Sequence, residues 1–301
     1  MAGTTGPGPQ GLGRVAVGVD GSPSAQAAAM WAADEAALRG SGLSVVHATD
    51  TDAPARLLVP ADIDRSRRTG QEILDRTADA VTTRHPDLPL VKELGRGSPA
   101  DSLRHAAALS GTIVVGHRGL GGFSSLMLGS VGLRVAATAT TPVVVVRGPA
   151  ESAEPGAVLT GVRDDADLGC ARAAAREALL RKVPLRLLHV WNTASHPGTR
   201  LLPRNGARGN AQEHVRALTD VADRLRGEFP ALTIDIEGDR NTSVPGALVE
   251  ASGQADLVVV GGRRAPGYLG PTLGRTTLTL LQHAHCPVML IPRHGPGHGT
   301  S

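Results

Sequence analysis

Short runs of β-branched and other apolar residues alternate along the chain with longer stretches whose apolar positions recur at helical spacing, the pattern of a parallel sheet with crossover helices. In the first half this predicts strands at RVAVGV from Arg14, LSVVHA from Leu43, LVKEL from Leu90, TIVVG from Thr112 and PVVVVR from Pro142. Helices are predicted between them, from Pro23, over Ala61 to Arg84, from Pro99 and after Gly129. Ser22 followed by Pro23 reads as an N-cap with a first-turn proline, so the first helix begins directly after the strand that ends near Asp20.

The second half repeats the order. Strands are predicted at AVLTGV from Ala157, LRLLHVW from Leu185, LTIDIE, DLVVVGG and PVMLIP, with one helix running through Arg181. Another carries Val215, Leu218, Ala222 and Leu225 at helical spacing. Gly116 recurs as Gly261 and Gly129 as Gly274, each 145 residues on, which marks a duplication. The expected organisation is a disordered Gly/Pro-rich tail over 1–13, a first domain over 14–148, a linker over 149–156, a second domain over 157–293 and a second disordered tail over 294–301. The linker holds two prolines and should act as a semi-stiff joint.

Composition narrows the function classes. The chain is 41% hydrophobic and only 2% aromatic, so its cores must be packed from Ala, Val, Leu and Ile, and it lacks an aromatic stripe on which bases could stack. The pI is 9.4, but Lys and Arg alternate with Asp and Glu and the formal charge is +3, which is no nucleic-acid footprint. Cys170 and Cys286 lie far apart without metal-ligand spacing, as in a reduced cytosolic protein. The sequence holds no apolar run long enough for a membrane span and no signal-like segment at Met1, so a cytoplasmic protein is expected.

One loop carries candidate chemistry. After the strand TIVVG comes GHRGLGGFSSLMLGS, Gly116 to Ser130: a glycine, two residues, Gly119, nine residues, then Gly129 and Ser130 opening a helix. Glycines permit close backbone approach, and the free amides at a helix start attract an anion such as phosphate. In an open parallel sheet, ligands bind beyond the carboxyl ends of strands where the strand order reverses, and Asp20 and Gly116 both end strands. A carboxylate there suits a ribose diol. Taken singly, the glycines could only make turns and Asp20 only cap a helix. Taken together and in this order, they favour a ligand site.

With these residues in view, the chain resembles the universal stress protein family in tandem-domain form. The resemblance rests on Gly116, Gly119, Gly129 and Ser130, supported by VGVDGSPSA from Val17, the SVVHA strand with His47, and TPVVVVR. It implies two Rossmann-like, adenine-nucleotide-binding α/β sandwiches, each with a five-stranded parallel sheet. It further implies pairing of the domains through their last strands, with homodimerisation left open, and binding of ATP with or without Mg2+. Carried over, Asp20 contacts ribose, Ala48 lines the adenine slot, and Gly116, Gly119, Gly129, Ser130 and Val131 surround the phosphates. The second copy departs from the motif. Arg264 stands for Gly119, Arg275 for Ser130 and Arg163 for Asp20, although Asp164 could supply an acid after a one-residue shift.

Other chemistry is missing. The chain has neither the dinucleotide G-x-G-x-x-G after its first strand nor a Walker A lysine. The HAHC run from His283 to Cys286 and the HGPGHGTS tail hold possible metal ligands but read as a helix end and a tether. Three functions stay open: an ATP-binding stress-response module that changes shape or partner affinity, an interaction scaffold without nucleotide, and a slow ATPase using a loop residue such as His117.

Overall fold

The computed structural model describes residues 14–49, 60–107, 111–119, 128–147, 156–191, 205–241, 243–262 and 273–292. The expected tails, residues 149–155 of the expected linker, and Arg263 and Arg264 lie outside them. The chain forms two compact units, Met1–Val146 and Arg147–Ser301.

In the first unit the elements follow the predicted order: β1 (Val15–Gly18), α1 (Pro23–Leu38), β2 (Leu43–Ala48), α2 (Pro60–Arg84), β3 (Leu90–Gly95), α3 (Pro99–Ala106), β4 (Thr112–Gly116), α4 (Ser130–Thr138) and β5 (Val143–Val146). All strand pairs are parallel and the order across the sheet is β3-β2-β1-β4-β5. The chain first winds outward from β1 through β2 to β3, then returns to place β4 on the other side of β1. The reversal point therefore lies between β1 and β4. Helices α1 and α2 pack on each other, as do α3 and α4, covering the two faces of the sheet.

Covering both faces explains why β4 and β5 read as continuous valine-rich runs without alternation. Helix α1 sits flush on the sheet because its buried side is made of alanines, Ala25, Ala28, Ala29, Ala32, Ala33 and Ala36. Its start is fixed as the sequence predicts: the Ser22 hydroxyl accepts from the amide of Ala25, and Pro23 follows.

The second unit repeats the plan with β6 (Val158–Gly161), α5 (Leu168–Arg181), β7 (Leu185–Trp191), α6 (Asn205–Glu228), β8 (Ile234–Arg240), α7 (Val244–Ala251), β9 (Leu257–Gly261), α8 (Arg275–His283) and β10 (Val288–Ile291). Its order is β10-β9-β6-β7-β8, again parallel throughout. A tight turn, Asp165–Asp167, precedes α5. Leu218, Ala222 and Leu225 are buried as their spacing predicts, but Val215 is 52% exposed. A 24-residue helix is about 36 Å long against about 23 Å for the seven-residue strands, so the strands cannot cover all of its apolar face.

The duplication reaches small details. Glu35 pairs with Arg39 near the end of α1, and Glu177 pairs with Arg181 near the end of α5, each with little exposure. Both helices close with the same pair of backbone bonds, Ser41 N to Ala36 O and Val183 N to Ala178 O. The left-handed residue in each closure is Gly40 at φ 59° and Lys182 at φ 58°. Lysine holds a conformation there that glycine adopts freely. Cys170 and Cys286 are free thiols, and burial pushes the Cys286 thiol up to about 12.

Two outcomes follow. Lys182→Gly should raise stability by about 0.5–1 kcal/mol in a denaturant titration. Cys286 should resist a thiol reagent at pH 8 in the native protein and react on unfolding. Because its folded pKa lies above the unfolded value, it favours the fold most below pH 9.0, and that contribution declines as pH rises towards about 12.

Candidate functional site

The site forms where the sheet reverses. Beyond β1 the ladder continues one step, with the amide of Val19 donating to Val46 O at 2.9 Å, and the chain then turns through Asp20 and Gly21 into α1. Gly21 has φ 85°, a left-handed value that suits glycine. The half-buried Asp20 accepts from the amide of Ser22 through Oδ1 at 2.9 Å, a turn that fixes the carboxylate at the mouth of α1.

From the other side of the reversal, β4 delivers Gly116 onto the first turn of α1. A methyl group on Gly116 would lie 2.6 Å from Ser24 Oγ and 2.7 Å from Ser24 O, so only glycine fits. The loop is then tied down. Ser24 Oγ accepts from the amide of Arg118 at 3.2 Å and lies 3.1 Å from His117 Nδ1, which is itself 3.3 Å from Val146 O.

This tie carries Gly119 to Asp20: a methyl group on Gly119 would stand 2.6 Å from Asp20 Oδ2. Gly129 closes the third side. Its amide donates to His117 O at 3.0 Å, and a methyl group on it would stand 3.8 Å from the amide nitrogen of Gly119. Asp20, Gly119 and Gly129 thus stand side by side, although they come from three segments of the chain.

Gly129 is the N-cap of α4 and brings no side chain of its own to cap that end, and the first helix amides, beginning with Ser130 and Val131, carry the partial positive charge of a helix start. Ser130 is exposed and Val131 half-buried. Ala48 ends β2 and pairs in register with Gly95, one strand away from Asp20. The site combines an acceptor-only carboxylate with a helix start that attracts anions. A ligand with hydroxyl donors at one end and phosphate at the other matches both. A phosphate beside Asp20 itself would be repelled by its charge.

Ser24 builds the site without having stood out in the sequence, and His47 stood out there only as part of a strand segment, with no role at the site. Nothing local marks Ser24, because its role depends on a loop more than ninety residues away. His47 stands inside a recognised strand segment, but its bond to Val19 O at 2.8 Å has no signature beyond its recurrence as His189 with Val162 O at 2.7 Å.

That recurrence also aligns the second unit, matching Val162 to Val19, Arg163 to Asp20 and Asp167 to Ser24. The chemistry there is reversed. Arg163 donates to Asp167 through its amide at 3.1 Å, Nε at 3.0 Å and Nη2 at 3.2 Å, closing a bidentate pair within the turn. Hydrogen bonding to Asp167 raises the guanidinium pKa above its ordinary value, and the charge of Asp164 adds to this. Asp164 makes the turn that Asp20 makes, accepting from Ala166 N at 2.9 Å. Arg275 is the exposed first residue of α8. At the end of β7, Trp191 lies over Gly238, where a methyl group would meet the indole at 2.9 Å. His283 ends α8, while the amide of His285 donates to Ser252 Oγ and Cys286 is buried.

The packing of Gly116 on α1 predicts that Gly116→Ala destabilises the first domain by about 1–3 kcal/mol in thermal melts. Gly97→Ala, where nothing lies within 4 Å, is the control and should change little.

Comparison with known proteins accords with this architecture. The profile of the universal stress protein family matches twice, over residues 11–147 and 157–292. A universal stress protein of Mycobacterium tuberculosis is 30% identical over 293 residues, covering 92% of this chain and 95% of that protein. One from Mycolicibacterium smegmatis is 37% identical over 133 residues, 44% of this chain and 45% of its own length. Among solved structures, a universal stress protein from Archaeoglobus fulgidus superposes with a TM-score of 0.66 at 17% identity, covering 93% of this chain and 98% of that one. With two matched copies spanning most of its length, the chain belongs to the universal stress protein family as a tandem two-domain member.

Proposed function

We propose that the first domain binds ATP, with its ribose on Asp20 and its phosphates at the start of α4, and that the protein acts in a cytosolic stress response by changing shape or partner affinity. The observation that carries this reading is the approach of Gly119 to the Asp20 carboxylate, 2.6 Å from a notional methyl, beside the glycine-capped start of α4. Gly116, Gly119, Gly129, Ser130 and Val131 would surround the phosphates, and Ala48 would border the base.

Magnesium fits as a counterion on the phosphates, with the loop supplying amides rather than a metal cage. The described residues include no cluster of three His, Cys, Asp or Glu groups suited to hold a metal ion. His117 Nδ1 lies 3.1 Å from Ser24 Oγ and 3.3 Å from Val146 O, so in this proposal that nitrogen anchors the loop. No helix among the described residues is long and apolar enough to cross a membrane.

The scaffold reading applies locally, to the second domain. There the Arg163–Asp167 pair replaces the Asp20–Ser24 arrangement, so a guanidinium stands where the ribose acceptor would be. In this account each chain carries one nucleotide, and the second domain contributes shape rather than a ligand.

The test is calorimetric titration of the full chain with ATP and magnesium, after denaturing a sample to identify any nucleotide carried from the cell. The expected result is one ATP per chain. Asp20→Ala should weaken binding roughly ten- to hundred-fold, the loss of hydrogen bonds to a charged acceptor. Gly129→Val, which puts branched methyls over Gly119, should abolish it. Absence of bound nucleotide and of titration heat would leave the scaffold reading for the whole chain.

A further inference from the structure

We infer that His47 is a positioning residue which sets how strongly the first domain discriminates the ribose hydroxyls, acting through the Val19–Asp20 peptide; this rests on the nucleotide reading above. His47 touches no reacting or ligand-facing group in this account. Its effect is on where the Asp20 carboxylate stands.

Val19 is held on both of its backbone polar groups. Its amide donates to Val46 O at 2.9 Å, extending the β1–β2 ladder, and its carbonyl accepts from His47 Nδ1 at 2.8 Å. A carbonyl can only accept, so the ring carries its proton on Nδ1. The carbonyl of Val19 and the amide of Asp20 belong to one planar peptide. Fixing that oxygen therefore fixes the plane from which the Asp20 side chain departs. The register of β1 with β2 ends at Gly18 with Val46, so Asp20 stands where strand pairing no longer sets the backbone. The imidazole supplies the constraint that the ladder has ceased to provide.

The ring is itself clamped. A methyl group on Gly70 of α2 would lie 2.6 Å from His47 Cδ2, 3.1 Å from Nε2 and 2.8 Å from Leu94 Cδ1. The helix backbone thus bears directly on the imidazole. Glycine at this position lets α2 hold the ring against Val19.

The second domain supplies an internal control. His189 makes the same bond to Val162 O at 2.7 Å, but the next residue is Arg163, bound to Asp167. The tie is thus common to both copies, and only in the first does it lead to a carboxylate at a phosphate-loop glycine. Removing the His47 tie should affect sugar recognition, whereas removing the His189 tie should leave nucleotide binding unchanged.

The experiment measures ATP and 2′,3′-dideoxy-ATP affinities of the full chain by calorimetry, with thermal melts of each variant. The wild type should prefer ATP by roughly tenfold or more, the worth of hydroxyl bonds to a carboxylate. In His47→Leu that preference should fall towards unity through loss of ATP affinity, while dideoxy-ATP affinity stays within about twofold. His47→Asn, which keeps a donor at the δ position, should restore most of the preference. His189→Leu should leave both affinities unchanged. Should His47→Leu fail to fold, Gly70→Ala carries the test, since it displaces an intact imidazole and should lower the preference in the same way. An unchanged preference in the folded His47 or Gly70 variant overturns the inference, as does an equal loss for both nucleotides, which would mark a general packing defect. A wild type that binds both nucleotides equally well refutes ribose positioning while leaving nucleotide binding intact. A wild type that binds neither refutes both.

Discussion

The approach of a backbone glycine to a carboxylate is the constraint on which the site in the first domain depends. Gly119 can lie against Asp20 only because it lacks a side chain. The approach is imposed by the sheet, since β1 and β4 are neighbours at the point where the strand order reverses. Residues leaving those two strands must share the space above their carboxyl ends. Ser24 then draws the loop onto α1 by accepting the Arg118 amide, and Gly116 makes the contact close enough for that bond to form. What results is a carboxylate held near the start of α4, two groups of opposite electrostatic character.

The second domain separates the fold from the site. It keeps the strand order, the alanine-faced helix and the helix closure, all of which serve packing, and also the imidazole tie. It changes the two residues that matter at the reversal. Arg163 and Asp167 exchange the polarity of the Asp20 and Ser24 positions and satisfy one another, so the change costs no unpaired charge. Without Asp167 the guanidinium would keep only the charge of Asp164 and solvent as partners at the mouth of α5. The pair makes the alteration self-contained, so the residues at the reversal differ between the copies while the architecture is kept.

Much of the fold is legible in the sequence because the signals are local. Valine runs mark strands buried on both faces, and Ser22 with Pro23 marks where α1 begins. Helix α7 is harder to see: it is eight residues long, too short for a clear period, although Ser243 before Pro245 is the same capping signature. Val215 illustrates a different limit, since helical spacing identifies a face but not how far the sheet beneath extends. The glycine spacing and Asp20 are readable as candidates because each has a distinctive residue type. Ser24 and His47 are not, because a serine hydroxyl and a strand histidine acquire their roles from distant backbone groups, Arg118 N and Val19 O. The Arg163–Asp167 pair lies in between: the loss of the acid is visible in the sequence, whereas its replacement by an ion pair needs the turn geometry.

The most direct test of the account is a diffraction structure of the full chain crystallised with ATP and magnesium. The account predicts the ribose hydroxyls within hydrogen-bonding distance of Asp20, phosphates against the amides of Ser130 and Val131, and no nucleotide in the second domain. Nucleotide density beside Arg163, or a triphosphate bound away from Gly119 and Gly129 in the first domain, would contradict it.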